Sequence, residues 1–291
     1  MRTEIRSSEL TVQIDSHGAE LKSVVRNGKE YMWQADPAYW NRTSPVLFPF
    51  VGAVSGGKYR WKGQEYPMGQ HGFARDCEFE LVESSENKAV FRLDSSEETL
   101  AKYPFAFSLE IAYTAEGSSL TVEWRTINKA PETLWYAIGA HPAFNVPVAA
   151  DGTLSGVLLG LGGKEEKVLT VRDFADPLAA PTTHTLQTDA CGFFALDGHT
   201  FDGGALIFEN DQLQQVSLAD KEGSRFVTVD FTSPLVGVWS PVGKNAPFVC
   251  IEPWYGRADM TGFAGELNER EFEQSLEPGG ESTVSYRMTF A

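Results

Sequence analysis

Cysteine is nearly absent from this chain. Cys77, Cys191 and Cys250 are the only three in 291 residues, an odd count without C-x-x-C spacing, which excludes a zinc knuckle and a disulfide framework. The expectation for them is small buried hydrophobes in a reducing compartment. Positive charge is also scarce, with 24 Lys and Arg against 40 Asp and Glu and a formal net charge of −16. Nucleic acid and anionic membrane surfaces require clustered cations to displace counterions, so neither is expected as a partner. No run approaches the roughly 18 consecutive apolar residues of a membrane span. The start Met1-Arg2-Thr3-Glu4-Ile5 has no apolar signal-peptide core, and a cytoplasmic location is the expectation. Gly-x-Gly-x-x-Gly and P-loop patterns are missing too, which excludes the usual nucleotide cradles.

What the chain does have is core material and short alternating segments. Hydrophobic residues make up 42% and aromatics 12%, the composition of a globular protein rather than a disordered one. All-β sandwiches reach roughly 200–250 residues as one domain, and a single domain over 1–291 is expected. Leu10-Thr11-Val12-Gln13-Ile14, Glu78–Val82, Ala89–Leu93, Phe107–Tyr113 and Leu120–Trp124 alternate with the period of half-buried strands. So do Gly204–Phe208, Arg225–Phe231, Val236–Ser240 and a closing strand at Thr283–Phe290. Asn27-Gly28, Gly56-Gly57 and Glu116-Gly117-Ser118 are hairpin signals, because Asn and Gly tolerate positive φ. Helical patterning is confined to a capped turn at Ser96–Ala101 and another near Asp36–Trp40. Ala149–Pro181 reads as a long surface excursion. Many strands without long helices must cover one another's apolar faces, so the expected fold is a large antiparallel β-sandwich.

Three distant stretches carry chemistry: Gln70-His71-Gly72-Phe73-Ala74-Arg75, Gly139-Ala140-His141-Pro142-Ala143-Phe144 and Cys250-Ile251-Glu252-Pro253-Trp254-Tyr255-Gly256. Imidazole gives or takes a proton near neutral pH, and a carboxylate with a raised pKa performs the complementary step. Pro142 pushes His141 toward extended geometry. Glu252 follows an apolar strand, where charge is costly unless paired or functional. Arg42, Arg75 and Asn145 can donate hydrogen bonds to hydroxyls, carboxylates or phosphate. His71, His141 and Glu252 could instead hold zinc, but helical His-x-x-x-His spacing is missing, and no metal is expected.

The ordered motifs Asn41-Arg42-Thr43-Ser44-Pro45-Val46-Leu47-Phe48-Pro49, Met68–Arg75, Tyr103-Pro104-Phe105-Ala106-Phe107, His141-Pro142-Ala143-Phe144 and Glu252-Pro253-Trp254 resemble the aldose 1-epimerase (galactose mutarotase-like) family. The resemblance extends from about Ile14 to the end and implies a β-supersandwich that interconverts the α and β anomers of an aldohexose without a cofactor. It implies Glu252 as the base for the anomeric hydroxyl, His141 as the acid for the ring oxygen, and His71 and Arg42 as holders of sugar oxygens. Acid and base are then expected on different sides of the ring, from separate loops. The family aspartate that grips hydroxyls before a strand like Ala205–Phe208 is replaced here by Gly203-Gly204, with Asp202 the nearest substitute. The His-Gly-Phe-Ala-Arg pattern also occurs in relatives acting on hexose 6-phosphates, where Arg75 beside Arg42 would hold phosphate; the alternative is a salt bridge from Arg75 to Asp76 or Glu78. An idle carbohydrate-binding module with the same cleft is the reading from another class. The sequence sets neither the preferred sugar nor an oligomeric state.

Overall fold

The computed structural model describes residues 1–163 and 165–291. Its architecture is antiparallel β throughout, as the alternating segments require. A nine-stranded sheet runs Phe193–Ala195, Leu158–Leu161, Gln215–Ala219, Arg225–Phe231, Glu281–Phe290, Ser119–Asn128, Phe107–Glu116, Lys88–Asp94 and Glu80–Ser84. An eight-stranded sheet runs Leu178–Gln187, Val168–Ala175, Leu206–Phe208, Leu235–Trp239, Phe248–Tyr255, Ile138–Ala140 and Val46–Leu47, with Ala143–Asn145 also paired to Phe248–Tyr255. A four-stranded N-terminal sheet spans Arg2–Arg6 to Lys29–Glu30. One continuous core joins them, with Trp124, Phe91, Phe107, Val229, Val236 and Ile251 all buried.

The C-terminal strand does more than close the fold. Glu281–Phe290 lies between Ser119–Asn128 and Arg225–Phe231, so the last strand stitches the two halves of the chain together at the centre of the sheet. The one α-helix among the described residues is Glu97–Lys102, opened by a capping box between Ser96 and Thr99. Near Asp36 the chain forms a hydrogen-bonded turn in which Tyr39 and Trp40 N–H donate to the Asp36 carbonyl at 3.1 and 3.0 Å. No helix there continues beyond it. Among the described residues no helix is long and apolar enough to cross a membrane.

Ala149–Pro181 is not a surface excursion. It supplies Leu158–Leu161 to one large sheet and Val168–Ala175 to the other, and Leu178–Gln187 begins inside it. One of the glycines that look like loop punctuation, Gly160, has a packing origin. At Gly160 a Cβ would stand 2.3 Å from Ser217 Oγ on the neighbouring strand, so a close cross-strand approach demands glycine inside a strand. The charged residues before Val168 interrupt an alternation that resumes with Leu169 and Val171 buried.

Cysteine burial is mixed: Cys250 is buried, Cys77 half-buried and Cys191 exposed, and all three are free thiols. The N-terminal sheet is fastened to the nine-stranded sheet by the buried Tyr113 hydroxyl, which donates to the Ala19 carbonyl at 2.7 Å. Tyr113→Phe leaves that carbonyl unpaired and is expected to lower stability by about 1–2 kcal/mol, read as a lower urea midpoint with an unchanged slope. An unaltered midpoint would show that the tether contributes nothing.

Candidate active site

Glu252 lies in Phe248–Tyr255, a strand buried at every residue. Strand alternation places Cys250, Glu252 and Trp254 on one face. On one side Gly237 pairs with Glu252, between the Leu235–Trp254 and Trp239–Cys250 pairs. On the other side Gly139 pairs with Trp254 and Ala143 with Cys250. These two short ladders are in step, so His141, in the gap between them, stands directly across from Glu252. Pro142 interrupts the strand at this point and Pro253, which has no N–H, stands opposite the interruption. One bond still crosses, from Ile251 N–H to the Pro142 carbonyl at 3.3 Å.

His141 Nε2 is 3.4 Å from Glu252 Oε2. The two groups are therefore neighbours on one wall, not opposite flanks of a cleft as the sequence led one to expect. His141 is 7% exposed and Glu252 1%. Burial holds the Glu252 carboxyl well above the usual carboxylate range. Burial, followed by the positive charge of Arg75, brings His141 down to about 3. Both shifts favour an uncharged pair carrying one proton between them.

Stacking, rather than hydrogen bonding, holds the imidazole. Trp40 stacks on it at 4.7 Å and 27°, Trp239 meets it edge-on at 5.4 Å, and its Nδ1 is buried without a partner. Trp40 is itself fixed by its carbonyl, which accepts from Trp33 Nε1 at 2.9 Å. The indole of Trp254 lies flat across the sheet. A Cβ on Gly139 would be 2.7 Å from its Cδ1 and a Cβ on Gly237 2.5 Å from its Cη2, so only glycine fits on either flank. Beyond it, Arg257 donates to Glu209 at 2.6 Å and Arg270 to Asp259 at 2.6 Å. These buried ion pairs pin the return of the chain past Phe272, which packs in the same apolar cluster as Trp254.

His71 approaches from the loop after Met68, with its ring 5.6 Å from that of His141. Its φ is +67°, a left-handed conformation uncommon for a residue with a Cβ. Gly52 clasps it twice: His71 N–H donates to the Gly52 carbonyl at 2.8 Å, and Gly52 N–H donates to Nδ1 at 3.1 Å. An accepting Nδ1 places the proton of the neutral ring on Nε2. Burial first, then His141, Arg75 and Arg42, keep the ring neutral by lowering its pKa well below the ordinary value. His71 thus offers a fixed Nε2–H donor.

Arg42 and Arg75 form the rim, with side chains 27% and 18% exposed. Arg42 donates to Asp76 Oδ1 at 2.7 Å. Arg75 donates to the Gln70 carbonyl at 2.7 Å, its Nε is buried without a hydrogen bond, and Asp76 stands 3.9 Å away. The expected salt bridge from Arg75 to Asp76 is present at the long end of its range, through Oδ2, while Oδ1 accepts from Arg42. The segment carrying Arg42 is clamped by Glu20, whose carboxylate accepts from Thr43 and Ser44 N–H at 2.7 and 2.9 Å.

Two other expected residues lie apart from this cluster. The Asn145 amide donates to the Glu30 and Met32 carbonyls at 3.2 and 2.8 Å, so its donors tie the N-terminal sheet to the strand beyond His141. Asp202 is exposed, pairs with His199 at 2.9 Å and lines a shallow hollow with Ser240, Pro241 and Asn245, next along the chain from Trp239. Sequence reasoning passed over Trp40, Trp239, Trp254, Glu20 and Gly52. The tryptophans had a legible signal, since each sits within two residues of a motif already marked or ends a strand.

A two-sheet antiparallel fold with a buried histidine set against a buried carboxyl of a central strand has the residue types of an acid–base site. The aldose 1-epimerase family model matches residues 1–289, and the chain belongs to that family. It is 31% identical over 304 residues to the plasmid-encoded protein LacX of Lactococcus lactis subsp. lactis, covering 99% of both. Among solved structures it resembles a galactose mutarotase related enzyme from Lactobacillus acidophilus, with a TM-score of 0.91 and 33% identity over 100% of this chain and 97% of that one. A galactose mutarotase-like protein from Lactobacillus casei gives a TM-score of 0.94 at 29% identity, with both chains fully covered.

Gly237→Ala tests the support of Glu252. The added methyl displaces the Trp254 indole and is expected to cost about 1–3 kcal/mol, seen as an earlier thermal transition and altered tryptophan fluorescence. Gly203→Ala, where a Cβ meets nothing within 4 Å, is the matched control. Equal behaviour of the two variants would reject the wedge.

Proposed function

We propose that this protein interconverts the α and β anomers of an aldohexose by acid–base ring opening and reclosure, with Glu252 and His141 as the proton-transfer pair. The observation that carries this reading is the 3.4 Å separation of His141 Nε2 from Glu252 Oε2 on adjacent, in-register strands. In a cyclic aldose the hydroxyl and ring oxygens are bonded to the same carbon. Two side-by-side groups therefore reach both oxygens from one wall. Glu252 takes the anomeric hydroxyl proton while His141 delivers one to the ring oxygen, the ring opens, and rotation about the bond from the anomeric carbon to its neighbour presents the other carbonyl face. Reclosure with the transfers reversed gives the other anomer.

The reaction has no net proton change, which suits a pair that holds one proton in total. Dry surroundings favour the resting arrangement with the proton on Glu252, and moving it to His141 creates the carboxylate base and imidazolium acid together. The Nε2–H of His71 and the guanidinium of Arg42 would steady charge developing on the sugar oxygens. The faces of Trp40 and Trp239 would take the apolar side of the ring. No cofactor enters this scheme.

Glu252→Gln and His141→Asn are each expected to reduce the rate by about 10²–10⁴, measured by polarimetry on freshly dissolved α-galactose and α-glucose. A fully active variant of either kind would reject its role. An ordinary histidine acid would lose its proton, and its activity, as pH rises through about 6.5. The shared-proton pair predicts no step there. Its rate falls on the acid side when His141 takes a second proton near about 3, and on the alkaline side when Glu252, raised by burial, gives up the only one.

A second reading, a hexose 6-phosphate as substrate, is favoured by one observation: Arg75 carries a buried Nε without a hydrogen bond beside a second cation. A phosphate oxygen would satisfy it. Under this reading Arg75→Ala impairs turnover of glucose 6-phosphate by about tenfold or more beyond any effect on glucose, the equivalent of one charge-assisted hydrogen bond. Equal effects on both sugars would remove the phosphate reading.

A further inference from the structure

The acid–base reading uses His141 and Glu252 but has no use for Cys250, which shares their face. Cys250 is two residues before Glu252 on the same strand, pairs with Ala143 and Trp239, and is fully buried. The ligand atoms of His141, Cys250 and Glu252 all lie within 4.8 Å of one another. Nitrogen, sulfur and carboxylate oxygen from two adjacent strands form a donor set suited to zinc and related soft divalent cations.

The spacing is close to what such an ion needs. With bonds of roughly 2.0–2.2 Å to nitrogen and oxygen and about 2.3 Å to sulfur, tetrahedral coordination sets the ligand atoms about 3.3–3.6 Å apart. The His141–Glu252 separation of 3.4 Å is already in that range, and the sulfur has to close from a separation of at most 4.8 Å. Glu252 Oε2 is buried and has no hydrogen-bond partner, so a ligand lone pair is free. The charge of Arg75 opposes a cation here, and a bound thiolate and carboxylate together offset it.

We infer that His141, Cys250 and Glu252 form an inhibitory site for a thiophilic divalent cation, zinc above all, which on binding occupies both members of the proton-transfer pair. Coordination displaces the thiol proton of Cys250 and the carboxylic proton of Glu252 to solvent, engages the neutral imidazole of His141, and leaves the fourth position to water. No electron is transferred and chelation reverses it. The inhibition rests on the mutarotase reading, whereas the coordination does not.

The experiment separates the two. The full-length protein, stripped with EDTA under anaerobic conditions, is titrated with cobalt(II). The expected result is thiolate-to-cobalt absorption in the near ultraviolet together with visible bands of a tetrahedral ion, both lost on adding zinc. Cys250→Ser loses the near-ultraviolet band, with Cys250→Ala in its place if serine disturbs packing, and Cys191→Ser, at the exposed thiol, keeps it. In parallel, micromolar zinc slows sugar mutarotation by about tenfold or more in the parent protein and by less than about twofold in the Cys250 variant, an interval corresponding to loss of one strong ligand, and EDTA restores the rate. Absence of the cobalt band, its survival without Cys250, or equal zinc sensitivity of the variant overturns the site. A cobalt band with no effect of zinc on the rate overturns the inhibition. A parent protein without mutarotation refutes the proposed function, and the cobalt spectrum still decides the metal site.

Discussion

The site depends on a register. Phe248–Tyr255 is gripped from both sides by strands whose pairings are in step, and a one-residue slip in either would turn a whole set of side chains to the opposite face. His141 faces Glu252 only because the ladders on either side of Pro142 agree. The break itself is tolerable because Pro253 has no ladder bond to lose beside it. A loop-borne histidine would have to be ordered at an entropic cost each time it met the carboxyl. Here the sheet has already fixed the encounter, and the core that holds the sheet also holds the catalytic distance.

That placement creates an electrostatic difficulty which the surroundings resolve by neutrality. An isolated carboxylate on a fully buried strand is expensive, and an imidazolium beside Arg75 equally so. One proton shared between the two removes both charges at rest. Aromatic rings rather than hydrogen-bond partners fix the His141 ring, with Trp40 stacked on it and Trp239 edge-on. His71 is treated differently: the Gly52 N–H fixes its tautomer, which suits a group that donates constantly and never titrates. Charge is kept at the rim, where Arg42 and Arg75 remain partly hydrated.

Much of the fold was legible because strand alternation is local. Arg225–Phe231 has the same boundaries in the sequence pattern and in the structure, and the Ser96 cap announces the helix that follows it. The elements between Ala149 and Pro181 were missed because glycine and charge mask alternation wherever a strand needs close approach to its neighbour, as at Gly160. In the site, Glu252 betrayed itself as a charge ending an apolar run. Its adjacency to His141 could not be read locally, since cross-strand register is a property of pairs separated by more than a hundred residues. Asn145 misled for a related reason: an amide on the strand segment just after His141 serves backbone pairing with the N-terminal sheet, which no single segment reveals.

The buried pair and the partly exposed arginines differ in how freely their contacts can change. Around the pair the whole of Phe248–Tyr255 is buried and dry, so a substitution there changes a protonation equilibrium or the His141–Glu252 distance. On the rim the partners are long side chains, Arg42 with Asp76 and Arg75 with a carbonyl, which can exchange one acceptor for another at small cost. Asp202, beside Gly203-Gly204, lies apart from both, in the hollow with Ser240, Pro241 and Asn245. The same dryness explains why a thiol can persist beside the pair. Burial holds Cys250 well above its ordinary pKa, so it stays protonated, uncharged and chemically silent unless a cation soft enough to claim the sulfur reaches it.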